Sequence, residues 1–256
     1  MAWSWIFARS FHVAVDPRNW AALFLTAWFI YLVDRLVDSY SVKPLIRRSL
    51  RQTFCARHRH AWIGLLAVIG GSDTWLILRS IDPRTFLIGF FVGLVALSYL
   101  TVNHSLGQLW RALPLKEITI GLLFAAGTFV ALLPNFPPLS VPFLSAGIVF
   151  AFLCALNCIS IAAWERELDL AQKKNSIATT CPTVRKHLAK LSLVLAAASL
   201  SIALAYPFAR PIGACLWVSA ILLGLLDRAS GRVSDDVRTA LADLVLLTPL
   251  IAGMRA

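Results

Sequence analysis

Long apolar stretches recur along this chain, joined by short charged connections, and this pattern most limits the folds open to it. Runs such as residues 61–79, 85–103, 139–163 and 188–209 are close to the ~20 residues that a helix needs to cross a bilayer. Hydrophobic residues make up 59% of the 256 residues and charged residues 14%, too few charges for the surface of a soluble globule. The sequence therefore predicts a helical integral membrane protein and excludes a soluble enzyme, a disordered chain and a secreted disulfide scaffold.

Nine apolar segments can be counted, and they account for most of the chain. The longest connections, residues 38–60 and 165–187, are both rich in charge and too short for a separate soluble domain. We therefore expect one all-α transmembrane domain over residues 1–256, a bundle of about nine helices. The predicted segments are 3–15, 20–37, 61–79, 85–103, 116–133, 139–163, 188–209, 211–226 and 238–253.

Basic residues are divided unevenly between the two sets of connections. If the N-terminus is cytoplasmic and all nine segments cross, the cytoplasmic connections carry 18 Lys and Arg and the opposite ones carry five. Such a bias is typical of the cytoplasmic loops of membrane proteins. The same bias accounts for the net charge of +11, because basic connections contact anionic membrane lipids, so nucleic acid is not needed as a partner. We expect an integral protein of a bacterial inner membrane.

Two pairs of acidic residues stand at the predicted cytoplasmic ends of apolar segments. Asp34 and Asp38 end the second segment, and Glu165 and Asp169 end the sixth. A spacing of four residues puts both members of a pair on one helix face, where like charges repel. Because carboxylates near the bilayer are costly, acids in this position are candidates for function.

Paired carboxylates on one membrane face suit the binding of magnesium and a diphosphate. Mg²⁺ takes oxygen ligands, usually one or two carboxylates together with substrate phosphates. Two ions held by Asp34, Asp38, Glu165 and Asp169 can clamp a diphosphate between them. Basic side chains on the same face can neutralise the remaining phosphate charge. The candidates for that role are Lys116, Arg166, Lys173 and Lys174.

These acidic residues resemble the two motifs of the UbiA superfamily of intramembrane prenyltransferases. Asp34 and Asp38 match the last two acids of the family's first motif, NDxxDxxxD. Glu165 and Asp169 match the second motif, DxxxD, with Glu in place of the first Asp. In that family nine helices surround the site, and the two motifs end helices 2 and 6. The resemblance implies the same layout here.

Two further stretches carry the resemblance. Residues 173–176, Lys-Lys-Asn-Ser, are similar to the Gly-Lys-Lys-Thr-like tail that follows the family's second motif. Residues 113–116, Leu-Pro-Leu-Lys, followed by Gly121 and Gly127, are similar to the passage between the family's helices 4 and 5.

The resemblance implies Mg²⁺-dependent transfer of a prenyl group from a prenyl diphosphate to an aromatic or lipidic acceptor within the membrane. The acidic pairs are then the metal ligands and catalytic residues, and the basic residues bind substrate. Tyr99, in the fourth segment, can face an allylic cation, because an aromatic ring stabilises positive charge. Asn157, two turns before Glu165 on the same helix, can line the substrate cavity.

Two other functions stay open. Ile30 and Tyr31 occupy the positions of the family's leading Asn and Asp, which favours a non-catalytic relative that binds a lipid or a partner protein. A cation-coupled transporter can use the same four acids as ion ligands. Their position at helix ends, rather than in the middle of the membrane, argues against transport.

Overall fold

A computed structural model describes residues 1–41, 49–105, 116–135 and 140–253 of the chain. Residues 113–115, which precede Lys116 in the similarity described above, lie outside this described part. Thirteen α-helices follow one another in the described residues. They are α1 (Ala2–Ser10), α2 (Pro17–Ser41), α3 (Leu50–Arg57), α4 (Arg59–Ser80), α5 (Pro83–Ser105), α6 (Lys116–Phe129), α7 (Val141–Trp164), α8 (Arg166–Ala171), α9 (Ile177–Thr180), α10 (Val184–Ala205), α11 (Arg210–Arg228), α12 (Asp235–Val245) and α13 (Thr248–Gly253).

The protein is all-helical in its described part, and six of these helices are long and apolar enough to cross a membrane. They are α2, α4, α5, α7, α10 and α11 with the short 3-10 turn that precedes it. The other predicted segments are also helical but shorter. For example, α1 has nine residues and a length of about 14 Å, against about 30 Å of hydrocarbon. The expected count of about nine spans is therefore not confirmed.

Helix α7 forms the centre of the bundle. Two thirds of its most apolar stretch, 67%, is buried, against 6% for α5 at the periphery. Helices α6 and α7 run antiparallel, and so do α10 and α11, as the contacts of their glycines indicate. Gly121 on α6 faces Ala155 on α7, while Gly147 faces Phe129 further along the pair. Small residues let membrane helices approach closely, and this contact fixes α6 against the central helix.

Helix α1 is buried against the other helices despite its length. Phe7 is fully buried, and the ring of Trp3 lies 4.6 Å from that of Phe150 on α7. The Trp3 indole donates a hydrogen bond of 2.8 Å to the carbonyl of Leu246. A satisfied indole N–H lets this large ring pack inside the bundle. Helix α1 therefore acts as a packing element of the core.

The ninth predicted segment is divided into α12 and α13 by Pro249, which has no backbone N–H to donate. The Val245 carbonyl, four residues earlier, accepts a hydrogen bond from the Ser219 hydroxyl on α11 at 3.1 Å. Ser219 also shares a hydrogen bond of 2.7 Å with Thr248. One side-chain hydroxyl of the neighbouring helix α11 thus satisfies the carbonyl that the proline leaves open, as membrane interiors require.

Candidate functional site

The antiparallel order brings four helix ends together. Helices α2 and α7 end there, and α6 and α10 begin there; we call this the motif end of the bundle. Asp34 and Asp38 lie one turn apart in the last two turns of α2. Asp38 keeps 31% of its side chain exposed. The first acidic pair is therefore partly accessible at the motif end.

The second acidic pair lies where the chain leaves α7. Glu165 ends that helix, and Asp169 lies in the short helix α8. Lys173 then adopts a left-handed conformation with φ of 55°. The amide of Lys174 donates back to the carbonyl of Asp169 at 2.8 Å, and that of Lys173 donates to Leu170 at 3.1 Å, a common way to terminate a helix. This turn reverses the chain and directs Lys174 towards α2.

An ion pair joins the two motifs across the bundle. The Lys174 ammonium nitrogen lies 3.0 Å from a carboxylate oxygen of Asp38, 136 positions away in the sequence. Asp34 and Asp169 both lie in the electrostatic field of Lys116 and Lys174. Three of the four predicted acids, Asp34, Asp38 and Asp169, therefore lie around Lys174, and two of them also interact with Lys116. We call these five residues, Asp34, Asp38, Asp169, Lys116 and Lys174, the lysine–carboxylate cluster.

Burial alters the acid strength of Asp169. Desolvation raises the pKa of its carboxyl from 3.8 to about 6, although a Ser176 hydrogen bond and the Lys116 and Lys174 charges oppose the shift. Glu165 adds a smaller repulsive contribution in the same direction as burial. A carboxylate that is costly to keep ionised is one that gains from an additional cation. Asp169 therefore takes up a proton at a higher pH than an exposed aspartate does.

Glu165 makes its contacts elsewhere, although it is one turn from Asp169. Its carboxylate forms an ion pair with Arg51 on α3 and accepts a hydrogen bond of 3.0 Å from the Thr239 hydroxyl on α12. The side chain is 18% exposed. Glu165 thus contacts α3 and α12, while its charge still acts on Asp169 beside the lysines.

The remaining predicted residues fall at different distances from the cluster. Tyr99 on α5 lies in the field of Asp34 and Asp38. Lys173 occupies the left-handed position of the turn that follows α8. Arg166 donates to the Ala178 carbonyl at 3.1 Å and to Glu167 at 2.9 Å, and it borders a separate cavity.

Asn157 lies inside the bundle on α7. Its side chain is 3% exposed, and its amide oxygen has no hydrogen-bond partner within the described ranges. An unsatisfied buried acceptor is costly in an apolar interior. The Asn157 amide oxygen is therefore an acceptor whose donor lies outside the hydrogen bonds of the described ranges.

Sequence reasoning missed Glu117, which follows Lys116 at the start of α6. The residue is 4% exposed, and one of its carboxylate oxygens accepts the Ile177 amide at 3.1 Å. This bond ties the turn that carries Lys174 to α6, so it helps to hold Lys174 at Asp38. The available signal was an acid beside a lysine at the edge of an apolar segment.

Within the part of the chain that the structure describes, no group of three or more His, Cys, Asp or Glu side chains converges as a ready metal site. Comparisons of the chain with protein-family models, curated proteins and solved structures found no match. The fold and the site thus define an all-helical membrane protein with a cluster of lysines and carboxylates at one end of its bundle.

Proposed function

We propose that the protein transfers a prenyl group from a prenyl diphosphate to an aromatic or lipidic acceptor in a Mg²⁺-dependent reaction. The observation that carries the proposal is the lysine–carboxylate cluster, in which Lys174 and Asp38 meet although they belong to the two separate motifs. Carboxylates suit Mg²⁺, and lysines suit phosphate oxygens. A site of this composition beside apolar helices fits a substrate with a charged head and a hydrocarbon tail.

The carboxylates fit magnesium held jointly by protein and substrate. Asp34, Asp38 and Asp169 are the residues that would hold it, with phosphate oxygens completing the shell. Glu165 was predicted as a fourth ligand; Arg51 and Thr239 both contact one oxygen of its carboxylate, Oε1. When bound, Mg²⁺ supplies charge neutralisation for the diphosphate leaving group.

Lys116 and Lys174 then bind the diphosphate and stabilise the charge that develops as it departs. The allylic C–O bond breaks, and its electron pair leaves with the diphosphate. The acceptor forms the new bond to the prenyl carbon and loses a proton. Tyr99 lies in the electrostatic field of Asp34 and Asp38, and in this proposal its ring would stabilise the positive charge at the allylic carbon.

The proposed setting is a bacterial inner membrane, with the motif end facing the cytoplasm. The excess of Lys and Arg in the connections at that end supports this orientation. Prenyl diphosphates carry a charged head that stays at the membrane surface and a tail that enters the bilayer. The motif end is where the charged side chains meet the apolar helices, so it suits both parts of the substrate.

A second candidate function is non-catalytic binding of a lipid or partner. The specific observation in its favour is that Lys174 already neutralises Asp38 and Arg51 already neutralises Glu165. Ile30 and Tyr31, in place of the family's Asn and Asp, point the same way. In this alternative the acids form ion pairs that hold the helices together, and Mg²⁺ does not alter the affinity of the protein for its ligand.

Binding of prenyl diphosphates to the purified full chain, with and without Mg²⁺, separates the two functions. We expect binding that requires Mg²⁺ and that Asp38→Asn and Asp169→Asn each weaken by at least about tenfold, since charge-assisted contacts are worth about 1.5–3 kcal/mol. Glu167→Gln is a matched control, because Glu167 lies between the two acids of the second pair and is 78% exposed. Equal binding with Mg²⁺ and with EDTA across several chain lengths would contradict the proposal.

A further inference from the structure

A second polar cavity opens at the motif end, apart from the lysine–carboxylate cluster. Its volume is about 750 Å³, and it lies between the end of α7, the start of α10 and the connection from α11 to α12. None of the five residues of the lysine–carboxylate cluster lines it. Cavities of a few hundred to 1,000 Å³ are the size that small-molecule ligands occupy.

The floor of this cavity is a buried arginine with unused donors. The Arg238 side chain is 3% exposed and forms an ion pair with Asp235. Its Nε and Nη1 atoms have no hydrogen-bond partner within the described ranges. Leaving a buried guanidinium donor unsatisfied is costly, and an anion that accepts from it removes that cost.

The guanidinium of Arg238 is held in place by an aromatic platform. It lies 5.0 Å from the ring centre of Trp164, an arrangement that favours a cation over the ring face. The Trp164 indole donates a hydrogen bond of 3.1 Å to Asp227 on α11, which fixes the ring. Arg238 is thus preorganised rather than free to move away from the cavity.

The charges of the cavity favour an anion. Four arginines line it, namely Arg166, Arg185, Arg232 and Arg238. Asp235 and Asp236, two of the three lining carboxylates, lie in the first turn of α12, where acids offset the helix dipole. Helix α10 starts beside the cavity, with Pro182 and Arg185 in the lining, and Thr183 gives its first turn no side-chain cap.

We propose that this cavity is a binding site for a phosphate group, carried either by a soluble phosphate ester or by the headgroup of an anionic lipid. Arginine pairs well with phosphate because its planar donors match several oxygens at once. Arg185, which donates to the Ser230 hydroxyl at 2.9 Å, and Arg232 form the exposed rim. Arg238 forms the buried floor. This site needs no metal, and it does not depend on the prenyl transfer proposed above.

The test uses the full chain in detergent with EDTA, so that no Mg²⁺-dependent binding contributes. Inorganic phosphate, titrated at constant ionic strength against chloride, should raise Tm in a saturable way. In a second arm, the chain is placed in nanodiscs of phosphatidylcholine with or without phosphatidylglycerol. Stabilisation by inorganic phosphate identifies a soluble ligand, whereas stabilisation by phosphatidylglycerol alone identifies a lipid headgroup.

Variants of the exposed rim decide whether the cavity is responsible. Arg185→Gln and Arg232→Gln should each weaken the binding that stabilises the protein by about fivefold, less than the loss of a buried charged hydrogen bond because the rim is exposed to water. Lys186→Gln, next to Arg185 but outside the cavity lining, is the matched control and should change the affinity less than twofold. All three variants should leave Mg²⁺-dependent prenyl diphosphate binding unchanged. The proposal is wrong if neither arm shows binding, or if the double variant Arg185→Gln/Arg232→Gln binds as tightly as the wild type.

Discussion

At the motif end, burial of a charged side chain lowers the free energy of unfolding, and Asp169 is the clearest example. Its pKa lies at about 6 because burial disfavours the ionised form. In the unfolded chain the carboxyl returns to its ordinary pKa of 3.8. The folded protein therefore binds the extra proton between these two values, and the ionised carboxylate costs stability above pH 6. That cost disappears as the pH falls from 6 towards 4.

Asp169→Asn should therefore stabilise the protein at pH 7.5, because the amide keeps the shape and removes the buried charge. At pH 5 the wild-type carboxyl is mostly protonated, so the variant and the wild type should have more similar Tm values. Thermal unfolding in detergent at the two pH values measures the difference. Glu167→Gln, which removes an exposed charge on the same short helix, should show a smaller change at both. A Tm for Asp169→Asn below that of the wild type at pH 7.5 would contradict this account.

The contact partners of individual side chains are the part of the site that could not be predicted from the sequence. The spacing of Glu165 and Asp169 predicts one shared face, yet Glu165 contacts Arg51 and Thr239 instead. Arg51 lies on α3, within a stretch that composition alone describes as a charged connection. No local pattern shows that this stretch forms a helix and returns an arginine to the end of α7. Such a partner becomes visible only in the folded bundle.

At the scale of elements, the apolar segments were predictable because their length and composition are enough to predict a helix. All nine predicted segments are helical, and six are long enough to cross the membrane. The interruption of the last segment, between α12 and α13, depends on Pro249 and on the Ser219 hydroxyl of α11, and only the proline could be recognised from the local sequence. The burial of α1 likewise depends on partners distant in the chain.

The contact between α6 and α7 gives a prediction at this scale. A Cβ added at Gly121 would lie 2.4 Å from the backbone nitrogen of Ala155, so Gly121→Ala must push the two helices apart. We expect a loss of about 1–3 kcal/mol, typical of overpacking. Gly127→Ala, in the same helix, meets nothing within 4 Å and should be neutral or stabilising. Thermal unfolding of the two variants measures the contrast, and equal effects would argue against the close approach.

At the scale of the whole molecule, the charged connections of both motifs meet at one end of the bundle, and we expect that end to lie on one side of the membrane. Cys181 provides a natural probe, because it is the one cysteine among the five that is exposed, and it follows α9 at the motif end. A membrane-impermeant maleimide should label it only after cells are permeabilised. Arg84 is the second residue of α5, at the opposite end of the bundle. In a variant whose Cys181 is replaced by serine, Arg84→Cys should be labelled in intact cells. Labelling of both positions from the same side would contradict the topology.

The central claim is that the two motifs form one site, and a double-mutant cycle on Mg²⁺-dependent prenyl diphosphate affinity tests it most directly. The cycle compares the wild type with Asp38→Asn, Asp169→Asn and the double variant. Residues that share one ligand are energetically coupled, so the double variant should lose clearly less than the product of the two single losses. Multiplicative losses would contradict a shared site, as would a wild type whose binding does not require Mg²⁺.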